Sequence, residues 1–590
     1  MRPFAALVLL PVLLAACGGS SRPSLPAPEA AGTVTRLADE YVEAFFERSP
    51  ESATRRGIPD ADHGGVEDNS LEALATWRAR EDSWLEQLEA IDPDLLEGRP
   101  EWVTYGILRE ILEGARAVRV CRLELWPVSS GPSGWQAGYA TLAGLQPVGT
   151  ETLRAHAVER MEGLARYVEV ETENLRQGLG QGYTAPRVIV EGVIRQLDGL
   201  LGTPVDSSPF LSPARRDSAP GFAADLALVI ERELYPSVRR YRDYLAGDYL
   251  AAARPEAGVG ANPRGADCYR ASVRRFSTLD LPPDEVFAAG EREIEAIRGE
   301  MLALARRSFG TSDLPTLLQR LREDPAFTYR TRDELVAVST AAIERARRAS
   351  PQWFGVLPKA GLEIRQHPEF RQREGAVAQY SAAAEDGSRP GIFWISTYRP
   401  ESIPRAYGEA TAFHEGIPGH HLQVAIAQER TGAHPLTRYF GFSGFTEGWA
   451  LYSEVLADEM GLYSDEVARM GLLASQAWRA ARLVLDAGIH SRGWTRDQAV
   501  EYLGRTTTMS PVQLQGEVDR YISWPGQATS YMLGNLEIRK LRAEAERRLG
   551  ERFDIREFHD QVLGNGGVTL PMLRRQVERW VERRADGSSS

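Results

Sequence analysis

A proline inside a histidine-rich segment sets the first limit on how this chain can fold. The segment reads His414-Glu415-Gly416-Ile417-Pro418-Gly419-His420-His421 and holds three of the nine histidines in the sequence. On one unbroken helix His420 would lie about 240° round from His414, and His421, back on the same face, about 10 Å further along. Neither could then share with His414 a metal ion that needs Zn–N distances of about 2.0 Å. Proline removes a backbone donor and crowds the preceding turn, and glycine tolerates unusual backbone angles. The pair predicts a bulge or break that returns His420 toward His414. The bland alternative is a helix ending at Ile417 with surface histidines behind it.

The chemistry of the segment favours the break. A His-Glu pair followed closely by another His assembles a metal site and a general base together, usually as H-E-x-x-H with both imidazoles on one helix face. Pro418 rules out that spacing here. A third ligand is available downstream, where Phe445-Thr446-Glu447-Gly448-Trp449-Ala450-Leu451-Tyr452-Ser453-Glu454 reads as the start of a long helix through Asp458. Glu447, Glu454 and Asp458 share one face, and Trp449, Leu451, Tyr452, Val455 and Leu456 make the rest apolar. A buried carboxylate needs a partner, and a metal is a good one. Glu447 is the expected ligand, and Glu454 or Asp458 the group holding an imidazole N–H.

These stretches, with Ser523 to Arg542 (SWPGQATSYMLGNLEIRKLR), resemble the bacterial family of domain of unknown function 885. Segments near 125, 268, 486 and 557 match in order, so the resemblance covers nearly all of the chain beyond its leader. That family is thought to be related to helical gluzincin zinc peptidases such as carboxypeptidase Taq and the oligopeptidases, in which the second His directly follows a Gly. The resemblance therefore favours His420 over His421. It implies a mainly α, two-lobed fold with a deep cleft, Zn²⁺ held by His414, His420 and Glu447, and hydrolysis of short peptides or chain ends. Glu415 would take the proton of the metal-activated water, and an oxyanion donor would come from His490, Tyr521 or Tyr531. Taken singly, each of the three reads more readily as a core residue than as a catalytic one. Arg539 and Arg542 are candidates for a substrate carboxylate or simply for a helix surface.

The N-terminus predicts export. Arg2 precedes an apolar run over 4–16, too short to span a bilayer, and Leu14-Ala15-Ala16-Cys17 follows the lipoprotein signal pattern. Residues 1–17 read as that signal with Cys17 lipidated, and 18–33 as a flexible tether. Gly18 favours outer-membrane sorting in a Gram-negative host, with the body on the periplasmic face. In an oxidising compartment Cys121 and Cys268 either pair or stay as buried thiols. The net charge of −13 argues against nucleic acid as a partner.

Helical periodicity runs through 34–47, 155–180, 222–248, 284–307, 331–348 and a last segment from Leu570, where Pro571 suits a first turn. Residues 362–365 and 391–397 instead cluster β-formers between Gly and Pro breaks. They predict a small sheet just before the metal-binding helix, with an edge able to take an extended peptide. Stretches 205–222 and 251–266 read as loops inside one domain over 34–590, whose active-site part spans about 360–545. Two other functions fit the same residues: a lipid-anchored peptide-binding protein without turnover, which would not need Glu415, and a zinc hydrolase of non-peptide amides. Oligomeric state is not legible in the sequence.

Overall fold

The computed structural model describes residues 26–58, 61–130, 134–367, 378–384, 389–430, 432–507 and 509–586. The signal peptide and Cys17 lie outside these residues. Helices dominate, as periodicity predicts: Glu151–Gly180, Pro283–Phe309, Arg332–Ala349 and Leu570–Ala585 all form where expected. The segment from 222 is also helical, with two π-helical turns, Ile230–Leu234 and Leu245–Tyr249, interrupting it. The first helix, Ala27–Arg48, begins inside the stretch expected to be a tether. Its early alanines are the reason: Ala30 and Ala31 are buried against the core, so small side chains serve close packing here and not flexibility. The loops near 205–222 and 251–266 are tied into the body. Arg254, for instance, is buried and donates to the carbonyls of Thr184 and Gly258, both at 3.1 Å.

A three-stranded sheet precedes the His414–His421 segment. Its strands are β1 (Leu362–Gln366), β2 (Gln379–Ser381) and β3 (Gly391–Ile395), in the order β1-β3-β2. β3 is parallel to β1 and antiparallel to β2, and its apolar Gly-Ile-Phe-Trp-Ile sequence takes the central, mostly buried position. β2 is only three residues long and carries no alternation to reveal it in the sequence.

Six later helices build the site: α1 (Ala406–Glu415), α2 (His420–Gln428), α3 (Ser443–Glu459), α4 (Glu466–Arg492), α5 (Pro511–Ser523) and α6 (Ser530–Leu549). α4 is buried on nearly every side and packs on α1 and on Pro283–Phe309. It gives Ala481, Leu485 and Ile489 to one apolar cluster and Leu483, Val484 and Ala487 to another. α3 joins a third cluster through Trp449 and Tyr452, so the site sits where three cores meet. α3 and α6 cross backbone to backbone. A Cβ on Gly448 would lie 2.5 Å from the Gly534 carbonyl carbon, and one on Gly534 1.7 Å from the Gly444 oxygen. Only glycine allows that approach, and it brings Glu447 of α3 alongside Tyr531 of α6.

Cys121 and Cys268 form a disulfide between segments 147 residues apart, as suits a protein folded in an oxidising compartment. Among the described residues no helix is long and apolar enough to cross a membrane.

Candidate metal centre

The break predicted at Pro418 is present. α1 ends at Glu415, the Ile417–Pro418 peptide is cis, and α2 starts at His420. Gly419 makes the turn possible, because a Cβ there would stand 2.0 Å from the His414 carbonyl oxygen. Trp449 pins the turn from α3 by donating its indole N–H to the Pro418 carbonyl at 3.0 Å. The break, bridged by the His421 N–H donating to the Gly416 carbonyl at 3.1 Å, lets the rings of His414 and His420 meet at 4.9 Å, nearly perpendicular at 89°.

Glu447 faces both rings. Its Oε2 lies 3.6 Å from His414 Nε2 and 3.4 Å from His420 Nε2. These separations exceed good hydrogen bonds, and Oε2 is buried without a hydrogen-bond partner. They match instead the edge of a tetrahedron with bonds of about 2.1 Å, which is about 3.4 Å. The three ligand atoms all fall within 4.8 Å of one another. An orphaned buried carboxylate oxygen facing two imidazole nitrogens is a donor set that fits one small divalent cation. Burial alone would raise the Glu447 carboxyl, but the two imidazoles hold it well below the usual carboxylate range. Burial would likewise lower the His414 imidazole, which Glu447 and Glu454 instead lift to about 9.

The surroundings fix these ligands. Glu454 accepts the His414 Nδ1–H at 2.8 Å, leaving Nε2 free to face Glu447. Gln476 on α4 donates to the other Glu454 oxygen at 3.0 Å and is itself held by Asn535 of α6 at 3.1 Å. Glu454 thus has the orienting role expected of it. Asp458 does not: it pairs with Arg469 at 2.8 and 3.0 Å, one helical turn too far along α3. Glu415 is buried next to His414 and makes no hydrogen bond or ion pair among the described residues. His421 turns away from the centre, accepting from the Tyr380 hydroxyl at 3.1 Å and donating to the Ala360 carbonyl at 3.2 Å. Burial lowers it to about 4, so it stays neutral.

The three candidate oxyanion donors separate. His490 is locked at both nitrogens, accepting from the Val259 N–H and donating to the Tyr521 carbonyl, each at 3.0 Å. The Tyr521 hydroxyl accepts from Trp478 and Arg482, both at 3.1 Å, and donates to Glu517 at 2.7 Å. Both groups are fully buried with their capacity spent, so the structure makes them framework residues and removes them as donors. Tyr531 alone borders the centre, within electrostatic reach of Glu447, Arg482 and Arg520 together. Arg539 and Arg542 take the helix-surface role: Arg539 pairs with Glu293 at 3.0 Å, and Arg542 with Glu459 at 2.8 Å and Glu546 at 2.9 Å. Sequence reasoning missed three other arginines beside Tyr531, at 479, 482 and 520. The available signal was Arg479 and Arg482 following Trp478 in a stretch, 477–485, whose other residues are Ala, Leu and Val.

Two solved structures share this architecture. A "putative lipoprotein" from Colwellia psychrerythraea is 26% identical, with a TM-score of 0.86 over 95% of this chain and 99% of that one. A second, from Shewanella oneidensis and described as being of unknown function, is 18% identical, with a TM-score of 0.75 over 92% and 99% of the two chains; it supports the fold alone. No curated protein matches the chain significantly. The family model for a bacterial protein of unknown function, DUF885, matches residues 50–577. With that match spanning most of its length, the chain belongs to the DUF885 family.

Proposed function

We propose that this protein is a zinc-dependent hydrolase of peptide bonds, acting on short peptides or chain ends. The observation that carries the reading is the orphaned Glu447 Oε2 facing His414 Nε2 and His420 Nε2. Zinc held by these three residues would supply the Lewis acidity that polarises the scissile carbonyl and makes water acidic enough to give up a proton near neutral pH. Glu415, adjacent to the first ligand and free of partners, accepts that proton and passes it to the leaving amine. Glu454 keeps the His414 ring in one tautomer and orientation. Tyr531 donates its hydroxyl to the charge that develops on the carbonyl oxygen. The edges of the sheet, β1 and β2, are available to align an extended peptide.

The protein is further read as an exported lipoprotein, anchored to the bilayer through Cys17 with its body on the periplasmic face and sorted to the outer membrane in a Gram-negative host. The signal pattern at Leu14–Cys17 supports this, and so do the Cys121–Cys268 disulfide and the Colwellia structure described as a "putative lipoprotein".

The test pairs metal content with turnover. Purified protein is expected to hold about one zinc per chain and to cleave members of a short-peptide pool. Glu415→Gln should keep the zinc and lose the cleavage. Protein that takes up no stoichiometric zinc when challenged with it would sink the reading. Zinc binding with hydrolysis only of non-peptide amides would transfer it to that substrate class, and peptide binding unaffected by Glu415→Gln, with no turnover in the wild type, would make the chain a binding protein.

A further inference from the structure

Beside the candidate metal centre stand three arginines, Arg482 buried and Arg479 and Arg520 half-buried. Arg479 and Arg482 project from α4 and Arg520 from α5. Among the described residues Glu517 is the carboxylate within ion-pair distance of Arg482 and Arg520, and Asp486 acts on Arg520 from farther off. Glu517 Oε2 accepts from Arg482 at 3.1 Å, from Tyr521 at 2.7 Å and, more distantly, from Arg520 at 3.4 Å. Arg479 has no carboxylate of its own. It donates to Ser475 Oγ at 2.7 Å and stacks 3.9 Å over the Trp478 ring. Glu454 attracts it, but the oxygens of Glu454 are already taken by His414 and Gln476.

The unfilled donors are specific atoms. Arg482 is 2% exposed, and its Nη1 is buried without a hydrogen-bond partner; Arg479 Nε is in the same condition. A buried guanidinium left with an empty donor costs free energy that native structures normally avoid, and an anion in fork geometry is its natural complement. The Arg482 guanidinium lies 4.4 Å over the ring of Tyr531, the residue that borders Glu447. The guanidinium with the unfilled donor and the candidate metal centre therefore flank the same tyrosine.

We propose that Arg479, Arg482 and Arg520 form a subsite for the carboxylate of the substrate, so that the enzyme acts on peptides with a free C-terminus close to the scissile bond. This rests on the metallopeptidase reading and adds the part of the substrate it recognises. The framework supports a built site. Trp478 and Tyr521 brace the Arg482 guanidinium, and Gln527 accepts from Arg520 at 2.6 Å, so the donors are oriented before an anion arrives. A free carboxylate would take the unfilled N–H groups, while a C-terminal amide would bring two more donors to a place already crowded with them.

The experiment uses one pool of tripeptides prepared twice, with free C-terminal carboxylates and as C-terminal amides. Equilibrium dialysis against the full-length Glu415→Gln protein in detergent, read by mass spectrometry, should retain the acids about 100-fold more strongly than the amides. Arg482→Met should reduce that preference to less than about 10-fold; Arg479→Gln and Arg520→Gln, at more accessible positions, give the same reading if the buried variant does not fold. Equal retention of acids and amides, or retention of neither, overturns the proposal. Hydrolysis by the wild type is followed on the same pools. Equal cleavage of acids and amides leaves the peptidase standing and overturns the carboxylate subsite. Acid-selective retention without cleavage supports the subsite and removes the peptidase.

Discussion

Glu454 holds His414 by its Nδ1–H at 2.8 Å, and that one hydrogen bond aims the opposite ring nitrogen at Glu447. Glu454→Gln should therefore weaken zinc binding about 10- to 100-fold while leaving all three ligands in the sequence. Competition titration with a chelator of known affinity measures it. An unchanged affinity would mean that packing alone orients the ring.

His420 and His421 are neighbours in sequence with opposite duties. His420→Ala should abolish stoichiometric zinc, as should His414→Ala and Glu447→Ala, whereas His421→Ala should retain about one zinc per chain. The His421 variant should instead melt at a lower temperature, because Tyr380 and the Ala360 carbonyl lose their partner. Metal analysis after gel filtration, beside a thermal melt, separates the two effects.

Gly419→Ala tests the turn itself. The added methyl would meet the His414 carbonyl oxygen at 2.0 Å, so the break must open, at a cost on the order of 3 kcal/mol. Zinc should be lost although no ligand has changed. A variant that binds zinc normally would show that the break does not depend on this approach.

Tyr531 and Tyr521 should respond differently to loss of the hydroxyl. Tyr531→Phe is expected to lower kcat by about 100-fold with little change in stability, since it removes a donor to the developing oxyanion. Tyr521→Phe breaks the link among Trp478, Arg482 and Glu517 and should cost stability of about 1–3 kcal/mol. Steady-state kinetics and chemical denaturation of the two variants distinguish the roles.

His490 and His559 predict acid sensitivity of the fold. Burial lowers both to about 3, against 6.5 for an unfolded imidazole. Between those values the unfolded chain binds more protons than the folded one, so the contribution is intact above pH 6.5 and is lost as pH falls toward 3. At pH 5 each should have lost about 2 kcal/mol. Denaturation at pH 7 and pH 5 measures the loss, and His559→Gln, which frees its contacts to Tyr452 and the Trp353 carbonyl, should flatten the dependence while lowering stability at both.

What the sequence made legible was chemistry carried by local spacing. Glu454 follows Glu447 by two helical turns, and the Pro418-Gly419 pair announces the break that brings His420 back. What it hid depends on distant backbone. His490 reads as a candidate donor until the Val259 N–H, 231 residues away in the chain, closes on its Nδ1. Asp458 shares a face with Glu454, but Arg469 from the next helix claims it. The early alanines of 27–33 look like linker composition, and only their burial against the core shows a helix. The arginines at 479, 482 and 520 come together because α4 and α5 pack side by side, which no single segment encodes.

The contact between Gly448 and Gly534 carries a practical warning for anyone mapping this protein by mutagenesis. It fixes the spacing between Glu447 on α3 and Tyr531 on α6, yet neither glycine has a side chain to delete. Surveys that truncate residues to find what matters would pass over both. Here sensitivity appears when an atom is added, and a single methyl at either glycine would act as a wedge that spreads the two halves of the site.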